Sequence, residues 1–90
     1  MQVVATIKRI LDTNQVSESF KLRDVHVETV EQYAQTLSIQ FVQDKTPLLD
    51  NFKVGDKVKI EINLRGKEVV KDGKPLVFNT IQGWKIEKAV

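Results

Sequence analysis

Ninety residues make one domain, 1–90, with too little interior for a deep substrate cavity, because a chain of this size buries only about two thirds of its extended surface. The absence of cysteine excludes a disulfide framework, a thiolate metal site and thiol chemistry. Fourteen basic against twelve acidic side chains leave a net charge of +2, too small to announce a nucleic-acid partner by itself, so the placement of the charges matters more than their sum.

Met1 leads straight into Val3, Val4, Ala5 and Ile7, without the long apolar core and small-residue cleavage site of a secretion signal. No apolar run approaches membrane-spanning length, and a soluble cytoplasmic protein is expected. Residues 2–12 alternate, with Val3, Ala5, Ile7 and Leu11 on one face and Val4, Thr6, Lys8 and Ile10 on the other; Arg9 interrupts the apolar face near a bend. The polar run Asp12 to Ser19 reads as a loop, Phe20 to Thr29 as a second strand, and Glu31 to Gln35 as the next turn. Within that strand Phe20 and Leu22 are out of phase with Val25 and Val27. Either a bulge near Arg23 or Asp24 returns both pairs to the core, or Phe20 points outward and is free to stack.

Leu37, Ile39 and Phe41 alternate with Thr36, Ser38, Gln40 and Val42 as a third strand with one buried and one wetter face. Thr46 and Pro47 suit the N-cap and first residue of a short helix whose Leu48, Leu49 and Phe52 plug the end of a barrel. Beyond Gly55, the stripe Val58, Ile60, Ile62 and Leu64 opposes Lys57, Lys59, Glu61 and Asn63. Asp72-Gly73 supplies the positive backbone angles of a tight hairpin turn, Pro75 suits a strand beginning or edge, and residues 76–88 form the fifth strand. A flat sheet would leave these one-faced strands uncovered. The order strand, strand, strand, helix, strand, strand predicts an all-β fold, a five-stranded Greek-key OB-fold barrel with one short helix between strands three and four, an architecture that binds oligonucleotides or oligosaccharides.

Three blocks carry a resemblance to a known family: His26-Val27-Glu28-Thr29 with Glu31-Gln32-Tyr33; Asp44-Lys45 with Leu48 to Asp56; and Trp84-Lys85-Ile86-Glu87-Lys88. In these the chain resembles the short OB-fold domain of unknown function 3127, found mainly in Bacteroidetes and their phages. More distantly, Lys53 to Val58, Leu64-Arg65-Gly66-Lys67, Asp72-Gly73-Lys74 and Phe78-Asn79-Thr80 are similar to the second half of bacterial single-stranded-DNA-binding proteins. That likeness implies sequence-tolerant binding of single strands, a place in DNA replication, and assembly into dimers or tetramers. The long acidic-tipped tail by which such proteins recruit replication partners is not expected here, since the sequence stops at Val90.

Single-strand binding needs cations along the phosphates and flat side chains against the bases. Phe41 and Phe52 share parity with core positions, and Trp84 shares parity with Ile86, so all three are assigned to packing. Phe20, Tyr33 and Phe78 remain as stacking candidates. Lys8, Lys21 and Arg23 with the hairpin bases Arg65, Lys67, Lys71 and Lys74 form the candidate electrostatic track; the plainer reading is charge that keeps an exposed strand from pairing. RNA as the ligand differs only in accommodating the 2′-hydroxyl. A module that pairs exposed strand edges with another protein is the alternative of a different class.

Enzymatic chemistry finds little support. Asp24, His26 and Glu28 at alternate positions of one strand are splayed too far for three-point metal ligation, and two carboxylates on that face would repel phosphate. No nucleophile elbow, phosphate-cradling glycine loop or cysteine and histidine pair is present. No cofactor, metal or small-molecule substrate is expected, and no catalysis.

Overall fold

A computed structural model describes residues 1–89. Six strands, β1 (Gln2–Ile10), β2 (Asn14–Ser17), β3 (Phe20–Thr29), β4 (Thr36–Val42), β5 (Lys57–Lys71) and β6 (Lys74–Lys88), are joined by turns and by one 3-10 helix, Gln43–Asn51, between β4 and β5. Their order is β1-β5-β6-β4-β3-β2, and a further pairing of β1 with β3 closes the sheet into a barrel. All ladders are antiparallel except β4 with β6, which the helix crossover makes parallel. The Greek-key OB-fold is thus formed with one strand more than expected. The polar run read as a loop holds β2, which folds back on the start of β3 through Asn14, Gln15 and Ser17. Its four side chains are all exposed, so no apolar alternation marks it in the sequence.

Closure depends on β1 serving two neighbours. Gln2 to Thr6 pair with β5 and Ala5 to Ile10 with β3, and the register slips between Ile7 and Arg9. A bulge at this point adds one residue, bends the strand and reverses the side from which later side chains project. Ile10, assigned by simple alternation to the outer face, therefore lies opposite Val25 and packs against the core. Arg9 faces outward beside His26 instead.

The interior is one cluster of Ala5, Ile7, Val25, Val27, Ile39, Phe41, Leu49, Val58, Ile60 and Ile62, and its valine, leucine, isoleucine and phenylalanine side chains each stabilise the fold by about 1.5–3 kcal/mol when withdrawn from water. Leu49 is buried while Phe52 covers the rim as a half-buried side chain. The helix differs from the sequence reading in type and start. It begins at Gln43, whose φ is +54°, and Thr46 lies inside it, buried, with its hydroxyl donating to the Gln43 carbonyl at 3.0 Å. A hydroxyl that closes an i to i−3 contact favours the tighter 3-10 turn over an N-cap role.

Two corrections concern β5 and β6. Ile62 pairs with Gly83 and Glu61 with Lys85, leaving Trp84 as the extra residue of a bulge, 45% exposed rather than buried in the barrel. Gly83 takes the inward place that parity assigned to the indole, and it must be glycine: a Cβ there would stand 2.5 Å from Cζ of Phe41. The apolar stripe of β5 also ends early, at Ile62, and Leu64 is 65% exposed. From Leu64 onward the two strands leave the barrel as a hairpin whose ladder continues unbroken to Lys71 opposite Lys74. Asp72 (φ +53°) and Gly73 (φ +73°) close it, as the Asp-Gly pair predicts.

Candidate nucleic-acid interface

The hairpin is a two-stranded ribbon, so its side chains divide between two faces according to register. Arg65 pairs with Thr80, Lys67 with Phe78, Val69 with Leu76, and Lys71 with Lys74. Directly opposed residues project on the same side, which gathers four cations with Phe78, Leu76 and Val69 on one face. The other face carries Leu64, Glu68, Val70, Pro75, Val77 and Asn79. Phe78 is 57% exposed. A flat ring among lysines, outside any core, combines the two elements that single-strand recognition uses.

Where the hairpin leaves the barrel, a groove of about 510 Å³ opens between Asp24, Ser38 and Gln40 on one side and Leu64, Arg65, Gly66, Asn79, Thr80 and Ile81 on the other. Asp24 lies on the outer side of β3, because Val25 and Val27 point inward and β3 runs in unbroken register with β4 from Leu22 to Glu28. The bulge considered near Arg23 or Asp24 is therefore absent. Phe20 shares the outer side with Leu22 and Asp24 and is 36% exposed, at the end of the β2–β3 hairpin.

The remaining sequence candidates scatter. Lys8 is exposed at the β1 bulge, and Tyr33 is 77% exposed in the turn between β3 and β4. Lys21 is half-buried, its backbone N–H donating to Oε1 of Gln43 at 3.3 Å. Gln43 donates in turn to the Ser19 carbonyl at 2.8 Å, pinning the β2–β3 turn to the helix. Arg23 is on the inner phase of β3 and is committed internally: Nη1 meets Asp50 Oδ1 at 2.7 Å, and Nε donates to the Leu11 carbonyl at 2.8 Å. With its side chain only 16% exposed, this guanidinium ties the helix to the barrel wall rather than facing a ligand.

Arg9, which in the sequence only interrupts an apolar face, is a further exposed cation. The β1 bulge turns it outward, where Nη1 lies 3.0 Å from Nδ1 of His26. The signal for the hairpin face, by contrast, was present in the sequence: Arg65, Lys67 and Lys71 are all odd-numbered, and Glu68 and Asp72 even. Among the described residues no group of three or more His, Asp or Glu side chains is placed to hold a metal ion. No helix among them is long and apolar enough to cross a membrane.

Residues 2–87 match the profile of DUF3127, a domain of unknown function. The curated proteins contain no match to the sequence. Among solved structures, the chain is similar to Rim1, a mitochondrial single-stranded DNA binding protein of S. cerevisiae, with a TM-score of 0.73 at 12% identity over 98% of this chain and 91% of that one. A small single-stranded DNA-binding protein of Streptomyces coelicolor superposes with a TM-score of 0.64 at 12% identity, covering 100% of this chain and 93% of the other. The Plasmodium falciparum SSB in complex with ssDNA gives 0.64 at 14% identity with the same coverage. At such identities the likeness establishes the OB-fold and not the ligand.

Proposed function

The chain belongs to DUF3127, a family defined as a domain of unknown function, and from its own surfaces we propose that it binds single-stranded DNA without catalysis and with little dependence on sequence overall. The observation that carries this reading is the sorting of Arg65, Lys67, Lys71 and Lys74 onto the hairpin face that also bears the exposed Phe78. Charge intended only to keep a ribbon soluble has no reason to gather every cation on one face. The similar structures of single-stranded DNA binding proteins support the reading at the level of fold.

The strand runs along the hairpin's basic face and across the groove at its root toward Phe20. Phosphates meet the four cations, and bases stack on Phe78, each stack contributing about 1–3 kcal/mol. Assembly into a dimer or tetramer would let one strand traverse several barrels. The opposite hairpin face, with Leu64, Val70 and Val77 each more than 60% exposed, supports the second reading, a module that docks on protein. The two separate on one experiment: anisotropy titration of a labelled thirty-base oligothymidine, with duplex and RNA controls, at low and moderate salt. With four phosphates neutralised, affinity falls roughly fiftyfold between 50 and 200 mM salt. Phe78→Ala weakens binding about fivefold or more while thermal stability holds. Failure of the wild-type protein to bind at low salt rejects the reading and leaves the docking module.

A further inference from the structure

The groove at the hairpin root is unlike the track that leads to it. Its barrel wall presents Asp24, Ser38 and Gln40, and its hairpin wall Arg65, Asn79 and Thr80. No aromatic side chain lines it. Among the described residues the ion pairs are Arg23 with Asp50 and Lys59 with Glu87, so the Asp24 carboxylate faces the groove without a cationic partner within 4.0 Å. A phosphate entering here meets the Asp24 carboxylate, whose repulsion offsets the attraction of Arg65 on the facing wall. The part of a strand that occupies the groove is therefore a base, turned edge-on toward polar side chains instead of stacked.

Resting on the single-strand reading above, we infer that this groove is a base-selective pocket for an unpaired guanine. An ionised carboxylate only accepts hydrogen bonds, and it accepts two side by side. Guanine alone among the DNA bases offers two adjacent donors, N1–H and the N2 amino group, on its pairing edge. Its O6 and N7 acceptors lie on the neighbouring edge, where an arginine is their usual partner. Asp24 on one wall and Arg65 on the other match those two edges in kind, Arg65 exchanging its phosphate for the base wherever a guanine occupies the groove. Thymine fits worst, because its single N3–H is flanked by two carbonyl oxygens that face the carboxylate. Adenine and cytosine, with one amino group each, fall between. A volume of about 510 Å³ lies within the range of sites that enclose a small ligand. The protein thus holds most of a strand by phosphate and stacking, indifferent to sequence, and prefers guanine at one point of it.

The test compares three thirty-base strands at fixed salt: oligothymidine, the same strand with isolated guanines every fifth position, and that strand with inosine for guanine. Inosine keeps N1–H, O6 and N7 and lacks only the N2 amino group. The expected order is guanine tightest, by about tenfold over oligothymidine, with inosine between. Asp24→Asn, checked for an unchanged thermal midpoint, narrows the guanine-to-thymine ratio to about one and raises affinity for oligothymidine, since a charge that repels phosphate is gone. Equal or tighter binding of oligothymidine by the wild-type protein overturns the pocket while leaving single-strand binding intact. A guanine preference that survives in Asp24→Asn overturns it as well. If none of the three strands binds, the single-strand reading fails and the pocket fails with it.

Discussion

The barrel and the hairpin are built from the same alternating strands and use the alternation for different ends. In the barrel half of β5, Val58, Ile60 and Ile62 are buried, while in the hairpin half Leu64 is 65% and Val70 68% exposed. Among the described residues no third strand pairs with the ribbon: β6 pairs with β4 only through Ile39 opposite Ile81 and Gln40 opposite Gln82. Apolar alternation therefore measures two-sidedness and not burial. In the barrel the two sides are core and solvent; in the hairpin both are solvent, and what distinguishes them is charge.

If that division is right, mutations in the two regions break different properties. The largest effect falls on the barrel. Gly83→Val drives a side chain into Phe41 and Ile39 and destabilises by about 3 kcal/mol or more, read as the midpoint of urea unfolding. A stability change below about 0.5 kcal/mol would mean that β6 can bend away from Phe41 at no cost. The hairpin carries the next effect. Replacing Lys67, Lys71 and Lys74 together by glutamine lowers the slope of log affinity against log salt by about two and leaves unfolding unchanged, since three exposed cations each release about 0.7 counterions on a single strand. A smaller effect sharpens the boundary between the regions. Arg23→Ala removes the tie from β3 to Asp50 and to the Leu11 carbonyl and costs about 1–2 kcal/mol of stability, with the salt slope unaltered. Were the slope to fall by a full contact, Arg23 would belong to the track after all.

The sequence makes the barrel legible wherever a strand has one wet side. Ile39 with Phe41, Val58 with Ile60, and the Asp72-Gly73 turn are each read correctly from period and turn chemistry. What escapes are the places where a bulge resets the phase. One extra residue at Lys8 moves Ile10 inward and Arg9 outward, and one at Trp84 exchanges an indole for Gly83 at the core. The local signals, Arg9 interrupting an apolar face and Gly83 within a strand, mark a disturbance at each place but not which side the following residues take, which is set by the bending of a closed barrel. The candidate site divides likewise. The hairpin cations are visible in composition and their common face in parity, whereas the internal engagement of Arg23 depends on a helix 27 residues away in sequence. The groove at Asp24 depends on how the ribbon departs from the barrel, which no window of sequence contains.

The most direct test of the account is residue-resolved NMR of the protein titrated with oligothymidine. Perturbed amides and side chains should concentrate on Arg65, Lys67, Lys71, Lys74 and Phe78 and extend to Phe20 across the groove, with Val70, Val77 and the Arg23–Asp50 pair quiet. Perturbations confined to the Val70 and Val77 face, or spread evenly over the barrel, would contradict the division of labour between barrel and hairpin on which the proposed function rests.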